Sequence, residues 1–188
     1  MKIGIIAEDD SDVAVVREIT LSLLRPHRVG FRPFVGHGCG KLRRKCEAWA
    51  RILVRQGCLC ITVVHDLDTH DEGRLRSKLT AAIAPAGARA SVVLIPKREI
   101  EAWLLYDGAA IAAAFKETRE PTLPGNPEAL LDPKKYLRDL IWKMYRRDYL
   151  NTEHNARIAG RVNVSLLRRS NSFAPHPVFT AAVRKMLR

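Results

Sequence analysis

Residues 60–73, CITVVHDLDTHDEG, join an apolar run to a cluster of acids. The residues of 61–64 are all β-branched, which is typical of a strand buried on both faces. Asp66 and Asp68 follow that run almost at once. A chain with a formal net charge of +12 therefore gathers carboxylates at the end of a buried strand. This pattern predicts a site at the strand end, and the flanking sequence indicates the fold that carries it.

Strand and helix signals alternate over the first hundred residues. The apolar patterns predict strands at 2–7, 28–35, 59–64 and 91–95, and helices at 12–24, 41–56, 72–83 and 99–106. Such alternation predicts an α/β fold, a Rossmann-like parallel sheet flanked by helices. Right-handed crossovers place the carboxyl ends of all strands at one edge, where open parallel sheets bind ligands.

The sequence changes character after residue 107. Residues 116–135 are rich in Pro and charge, which predicts a loop, and helices are predicted at 132–149, 157–168 and 178–187. We therefore predict two domains: a sheet domain at 1–107, and a basic, mostly helical C-terminal extension at 108–188 packed on it.

The positive charge is concentrated in the last third of the chain. Residues 1–133 carry 19 Lys and Arg against 17 Asp and Glu, whereas residues 134–188 carry 13 against 3. This asymmetry favours nucleic acid as the partner over an acidic protein or a membrane surface. The alternative is a solvated basic face whose counterions lie elsewhere in an assembly. The predicted phosphate contacts are Lys134, Lys135, Lys143, Arg146, Arg147, Arg168 and Arg169.

Aromatic residues are interleaved with these basic residues. Such side chains can stack on unpaired bases. The alternative is an amphipathic helix that buries Leu137, Ile141 and Trp142 under a basic face, and both interpretations can hold together. The aromatic residues are Tyr136, Trp142, Tyr145 and Tyr149.

Other function classes are disfavoured by the sequence. No apolar run approaches the roughly 20 residues of a membrane span, and the N-terminus lacks a secretory signal, so we expect a cytoplasmic protein. The four cysteines lack zinc-site spacing, and we expect free thiols. The glycine-rich stretch 36–42, GHGCGKL, does not match the spacing of a P-loop, although its turn can still hold a phosphate at a helix N-terminus.

Acids follow two of the predicted strands. Glu8 ends the first strand and Asp12 lies four residues further on, while Asp66 and Asp68 end the third. In a parallel sheet these ends converge, and like charges held together need a cation. Carboxylate oxygens suit Mg²⁺ or Mn²⁺. Asp12 is equally suited to cap the following helix, and Asp66 and Asp68 point to the same side if the strand continues through them.

These acidic stretches resemble a known family. IIAEDDSD at 5–12 and VVHDLDTHD at 63–71 look like the Toprim domain of topoisomerases, primases and OLD-family nucleases. That pattern has a Glu after the first strand and Asp-x-Asp after the third, which Glu8, Asp66 and Asp68 match. The spacing of Glu8 and Asp12 resembles the paired acids of OLD nucleases. Many Toprim domains have Gly after the motif Glu, whereas this chain has Asp9.

Two further stretches resemble small Toprim-like proteins often encoded beside ATPases in bacterial defence loci. They are IPKREIEAWLLYD at 95–107 and LLRRSNSFAPHPVFTAAVRKML at 166–187. The resemblance implies that Glu101 lies near the metal and that Lys97 or Arg98 contacts phosphate. The alternative is a structural ion pair between Lys97 and Glu101 on one helix.

The resemblance implies a metal-dependent nuclease, an antiphage defence effector that cuts DNA or RNA, including tRNA. Asp66 and Asp68 would hold Mg²⁺ or Mn²⁺, Glu8 would be a ligand or general base, and Asp12 and Glu101 would complete a second metal site. The alternative is a non-catalytic or conditionally active subunit that docks an ATPase partner and binds nucleic acid.

Overall fold

The protein is built on a four-stranded parallel sheet, which confirms the predicted α/β class. The computed structural model describes all residues, 1–188. The strands are β1 (Lys2–Ala7), β2 (Gly30–Val35), β3 (Cys58–Val64) and β4 (Ala90–Leu94), in the order β2-β1-β3-β4.

Eight α-helices surround this sheet. Three of them connect successive strands: α1 (Asp10–Leu24), α2 (Cys39–Arg55) and α3 (Glu72–Ile83). The others follow β4: α4 (Glu101–Leu104), α5 (Gly108–Ala114), α6 (Pro133–Tyr145), α7 (Asn151–Ala159) and α8 (Pro175–Met186). No helix is both long enough and apolar enough to cross a membrane.

The two faces of the sheet carry separate apolar cores. Ile3 and Ile5 of β1 lie in the core under α1, whereas Ile6 lies in the core under α2 and α3. This is the alternation that a strand covered on both faces produces. Gly4 points toward α2, where a Cβ atom would lie 2.7 Å from Leu53 Cδ1. The absence of a side chain at Gly4 thus lets α2 pack close to β1.

The C-terminal helices share the core under α1. One cluster of buried side chains joins β1, β3, β4 and α1 to α4–α8, with Trp103 and Phe173 among its largest members. The indole Nε1 of Trp103 donates to Ser172 Oγ at 2.8 Å, and the indole ring packs edge-on against Phe173. Residues 108–188 are therefore packed on residues 1–107 through apolar contacts.

The connections create a switch point at the middle of the sheet. From β1, α1 leads to β2 across one face, whereas α2 leads from β2 past β1 to β3 across the other face. Open α/β sheets bind ligands outside the carboxyl ends of the strands at such a point, which here lies between β1 and β3, and we call this place the crevice. Glu8 and Asp66 lie at these two ends.

Several helix predictions after β4 were wrong. The predicted helix 132–149 ends at Tyr145, because Arg146 adopts a left-handed conformation with φ 54°. The predicted helix 157–168 is instead α7, which begins at Asn151. The backbone N–H of Leu150 donates to His154 Nδ1 at 2.9 Å, a helix start without a Ser, Thr, Asp or Asn cap. The predicted helix 99–106 is the single turn α4, and α5 was not predicted.

Candidate active site

Glu8 directly follows β1 and faces the start of the loop after β3. Its Oε1 accepts a hydrogen bond from the backbone N–H of Asp66 at 3.2 Å and lies 3.1 Å from His65 Nδ1. The side chain is only 17% exposed. Burial, and next the charge of Asp68, raise the pKa of Glu8 from 4.5 to about 7. Glu8 can therefore exchange a proton near neutral pH.

His65 is fully buried beside Glu8. Its Nδ1 lies 2.6 Å from the carbonyl oxygen of Asp66, so both neighbours of Nδ1 are acceptors and Nδ1 carries the proton. Burial lowers the pKa of His65, which leaves the ring neutral at neutral pH. The ring thus fixes the backbone at Asp66 and the carboxylate of Glu8 relative to each other.

Asp12 lies in the first turn of α1, and the cap of that helix is Asp9. The Asp9 carboxylate accepts from the N–H groups of Ser11 at 2.8 Å and Asp12 at 3.1 Å, while Asp12 Oδ2 accepts from the Asp9 N–H at 3.3 Å. The cap of α1 is therefore Asp9 and not Asp12, which the sequence suited equally to capping and to metal binding. Asp12 is 4% exposed, and burial and the charges of Asp9 and Glu101 raise its pKa.

Asp66 points a buried oxygen into the crevice without any protein partner. Its Oδ1 accepts no hydrogen bond. Burial, then the charges of Asp12, Glu8 and Glu101, raise the pKa of Asp66 well above its ordinary value. A buried acceptor without a donor is destabilising, and a bound cation would relieve it.

Asp68 occupies the rim of the same crevice. β3 ends at Val64, and Asp68 has φ 49°, so Asp66 and Asp68 are not alternate residues of a continuing strand. The condition for both side chains to point to the same side, a strand that continues through them, is not met, because the backbone turns at Asp68. Asp68 is exposed, and its charge helps to raise the pKa of Glu8.

Glu101 is the first residue of α4 and is 3% exposed. Its Oε1 accepts from Asn155 Nδ2 at 3.0 Å and from the Tyr149 hydroxyl at 3.3 Å. Burial, and then the charge of Glu101, raise the pKa of Tyr149. The Tyr149 hydroxyl also contacts Asn155 Oδ1. Asn155 could not be detected from sequence spacing, because it lies 54 residues from Glu101.

The structure thus brings four carboxylates from four segments into one crevice: Glu8, Asp12, Asp66 and Glu101. Each of Glu8, Asp12 and Asp66 feels the charge of at least one other acid there. No group of three or more His, Cys, Asp and Glu side chains is arranged as a complete metal site. The donor chemistry nevertheless fits a hard divalent cation, since all donors are carboxylate oxygens and Asp66 Oδ1 lacks a partner.

Lys97 and Arg43 both contact side chains outside the carboxylate cluster. Lys97 Nζ lies 3.2 Å from Glu72 Oε2, and no ion pair with Glu101 forms, because α4 begins only at Glu101. Arg43 on α2 contacts His70 Nε2, and its charge lowers the pKa of Glu8. Arg43 was missed by sequence reasoning, although it closely follows the glycine-rich turn before α2.

The predicted phosphate contacts lie on two exposed segments. Lys135 Nζ lies 2.5 Å from Asp139 Oδ2. The backbone N–H of Lys134 donates to Glu99 Oε2 at 2.8 Å. Ser170, beside the second segment, is buried and donates to Glu128 Oε1 at 2.8 Å. The first group, Lys134, Lys135, Lys143, Arg146 and Arg147, lies on and just after α6, and the second, Arg168 and Arg169, lies on a short 3₁₀ turn.

Fold and site together define an α/β protein with a buried carboxylate cluster at the switch point of a parallel sheet. The chain belongs to the DUF4276 family, a domain of unknown function, whose sequence profile matches residues 8–175. The matched range contains all four carboxylates of the crevice and the basic helix α6. Searches of curated proteins and of solved structures found no match.

Proposed function

We propose that this protein is a Toprim-like, metal-dependent nuclease that hydrolyses phosphodiester bonds of DNA or RNA. The observation that supports the proposal most is the carboxylate cluster at the switch point, with an unpartnered Asp66 Oδ1 at its centre. Such repulsion among buried acids is expected where a divalent cation belongs. The resemblance to Toprim sequences gives the same assignment for Glu8, Asp66 and Asp68.

The proposed roles follow from burial and position. Asp66 and Asp68 would hold Mg²⁺ or Mn²⁺, with Asp12 and Glu101 as further ligands. When bound, such an ion supplies charge neutralisation for the phosphate and lowers the pKa of water. Glu8, whose pKa is about 7, accepts a proton from the attacking water.

The remaining groups position the strand and the carboxylates. Lys97 contacts phosphate after releasing Glu72, to which it is bound. Tyr149 and Asn155 hold Glu101 in place through its Oε1. The basic C-terminal region binds the nucleic acid backbone.

The biological setting is proposed from the resemblance alone. Relatives of this kind are encoded beside ATPases in bacterial defence loci, so we propose a cytoplasmic antiphage effector. Its substrate would be phage or host nucleic acid, including tRNA, and its partner an ATPase.

Cleavage assays test the enzymatic proposal. Supercoiled plasmid and total tRNA are incubated with Mg²⁺, Mn²⁺ or EDTA, using the wild type and Asp66→Asn. The matched control is Glu47→Gln, an exposed carboxylate that pairs only with Arg51 on α2. We expect metal-dependent cutting that falls at least 100-fold in Asp66→Asn and stays unchanged in Glu47→Gln. Equal cutting by Asp66→Asn and the wild type would refute the assignment.

A second candidate function is a conditionally active subunit that docks an ATPase. Two observations favour it: no complete metal-ligand group is preformed, and an apolar groove of about 370 Å³ lies beside α6. Leu131 at this groove is 82% exposed. Calorimetric binding of Mg²⁺ without cutting, followed by cutting when a candidate ATPase partner is added, would favour this function over the first.

A further inference from the structure

We propose that the surface formed by the end of α6 and the start of α7 holds an unpaired base of a single-stranded nucleic acid, stacked on Trp142. The substrate of the proposed nuclease is accordingly a single strand rather than a duplex. The choice of substrate rests on the proposed function, whereas binding of the strand does not depend on hydrolysis.

Trp142 is the one exposed side chain among the four interleaved aromatic residues, since Tyr136 and Tyr145 are partly buried and Tyr149 is buried. Trp142 is 51% exposed, although the amphipathic pattern of α6 also allowed it to be buried. Tyr149 is 8% exposed and bound to Glu101. Tyr145 donates its hydroxyl to the carbonyl of Arg119 at 2.7 Å and stacks on Phe115. An exposed indole beside other exposed apolar side chains indicates a binding surface.

The ring borders a cavity of the size that a nucleobase needs. The cavity has a volume of about 440 Å³, and its lining includes Trp142, Leu150, Arg138 and Arg147. Leu150 is itself 55% exposed, so two large apolar side chains face solvent here. The wall combines three apolar or aromatic side chains with two arginines and with Asp139 and Asp148. Small planar ligands bind where apolar contact is combined with a few polar groups.

Cations lie beside the exposed ring. The guanidinium carbon of Arg146 is 5.9 Å from the Trp142 ring centroid, within the range of a cation–π contact. The acidic residue Asp139 is already paired with Lys135 and lies 3.4 Å from Arg138 Nε. The segment therefore has free positive charge for backbone phosphates next to an aromatic platform, the combination used to hold single strands.

Two side chains connect this surface with the carboxylate crevice. Tyr149 lines the cavity and also donates to Glu101 Oε1 at 3.3 Å. Asn151 Nδ2 donates to Ser11 Oγ at 3.3 Å, next to Asp12. A strand whose base stacks on Trp142 consequently has its backbone led toward the acids. A duplex offers phosphates but no free base face, so it does not use this platform.

Binding is measured by fluorescence anisotropy of labelled 12-nucleotide strands in EDTA, so that hydrolysis plays no part. The strands are DNA and RNA of one mixed sequence, and the competitor is the corresponding duplex. The variants are Trp142→Ala, Trp142→Phe and the control Val178→Ala, which removes an exposed apolar side chain from α8. Circular dichroism verifies that each variant is folded.

We expect tighter binding of the single strand than of the duplex. Trp142→Ala should weaken single-strand binding about ten-fold, with Trp142→Phe retaining most of it and Val178→Ala all of it. Duplex binding should change less than two-fold in all variants. If Trp142→Ala loses more affinity for RNA than for DNA, or the reverse, the strand with the greater loss is the one that the Trp142 surface prefers.

Three results would overturn the inference: equal affinity of Trp142→Ala and the wild type for single strands, preference for the duplex, or equal losses with Ala and Phe. Single-strand binding of the expected pattern without any metal-dependent cutting would refute the nuclease and leave this inference standing. Metal-dependent cutting of single strands by the Trp142→Ala variant, with the affinity and rate of the wild type, would refute this inference and leave the nuclease standing.

Discussion

Substitution of Glu8 by Gln tests the electrostatics of the crevice directly. The folded protein holds the Glu8 proton more tightly than the unfolded chain does, since burial and Asp68 raise its pKa from 4.5 to about 7. The free energy of unfolding of the metal-free protein therefore falls as the pH rises from about 4.5 to about 7. One pKa unit corresponds to about 1.4 kcal/mol, so ionised Glu8 destabilises the fold by about 3 kcal/mol at pH 8.

Gln cannot ionise, but its carbonyl oxygen can still accept from the Asp66 N–H. In EDTA, the free energy of unfolding of Glu8→Gln should exceed that of the wild type by about 3 kcal/mol at pH 8 and by less than about 1 kcal/mol at pH 5. For a chain of this size, the difference at pH 8 corresponds to about 6–12 °C in melting temperature. Mg²⁺ should stabilise the wild type more than the variant, because the charge of an ion bound in the crevice favours the ionised Glu8 carboxylate beside it.

The measurement is urea denaturation at pH 5, 6, 7 and 8, with and without Mg²⁺. Subtracting wild type from variant removes the contribution of all other titrating groups. Glu47→Gln is the control, because its carboxylate is exposed and paired with Arg51, and we expect no pH-dependent gain. A difference between Glu8→Gln and wild type that does not vary with pH, or a less stable variant at pH 8 in EDTA, would refute the reasoning.

Three other substitutions test the packing and charge of the fold. Asp107→Ala removes an α5 cap and the acceptor of the Asn163 N–H at 2.7 Å, and should lower the free energy of unfolding by about 2–3 kcal/mol in urea. Gly4→Ala should lower the free energy of unfolding by about 1–2 kcal/mol, because the new Cβ atom would collide with Leu53. A double-mutant cycle with Leu53→Ala should show that the two changes are coupled. His176 is fully buried, and burial lowers its pKa to about 3, so unfolding takes up a proton below about pH 6.5. Between pH 7 and pH 5, the free energy of unfolding of the wild type, measured in urea, should therefore fall by about 2 kcal/mol relative to that of His176→Gln. A difference between the two proteins that does not change with pH would contradict this.

The sheet was predictable because its strands are short apolar runs that must be buried. The strand at 61–64 could be predicted without any tertiary information. The parallel sheet places Glu8 and Asp66 at one edge, as expected. Local patterns were sufficient there because burial on both faces leaves a continuous apolar signal.

The C-terminal region was harder to predict because its boundaries depend on tertiary contacts. The start of α7 is bound by His154, which is not a usual capping residue, and the end of α6 depends on the left-handed Arg146. The contacts of Glu101 with Tyr149 and Asn155 join segments 48 and 54 residues apart, so no spacing rule detects them. The exposure of Trp142 likewise depends on where α6 ends.

The shared core under α1 has a consequence for the descent of this protein. The C-terminal region that carries the basic residues also supplies Asn155, on α7, and Tyr149, just before α7, and both hold Glu101 within the crevice. Recombination therefore cannot exchange the basic C-terminal region for another domain. Its removal would take away the side chains that hold Glu101 in the crevice. A change of substrate in evolution would instead require point substitutions on the exposed side of α6. Trp142 and its neighbouring arginines can be replaced there without changing the packing of the core.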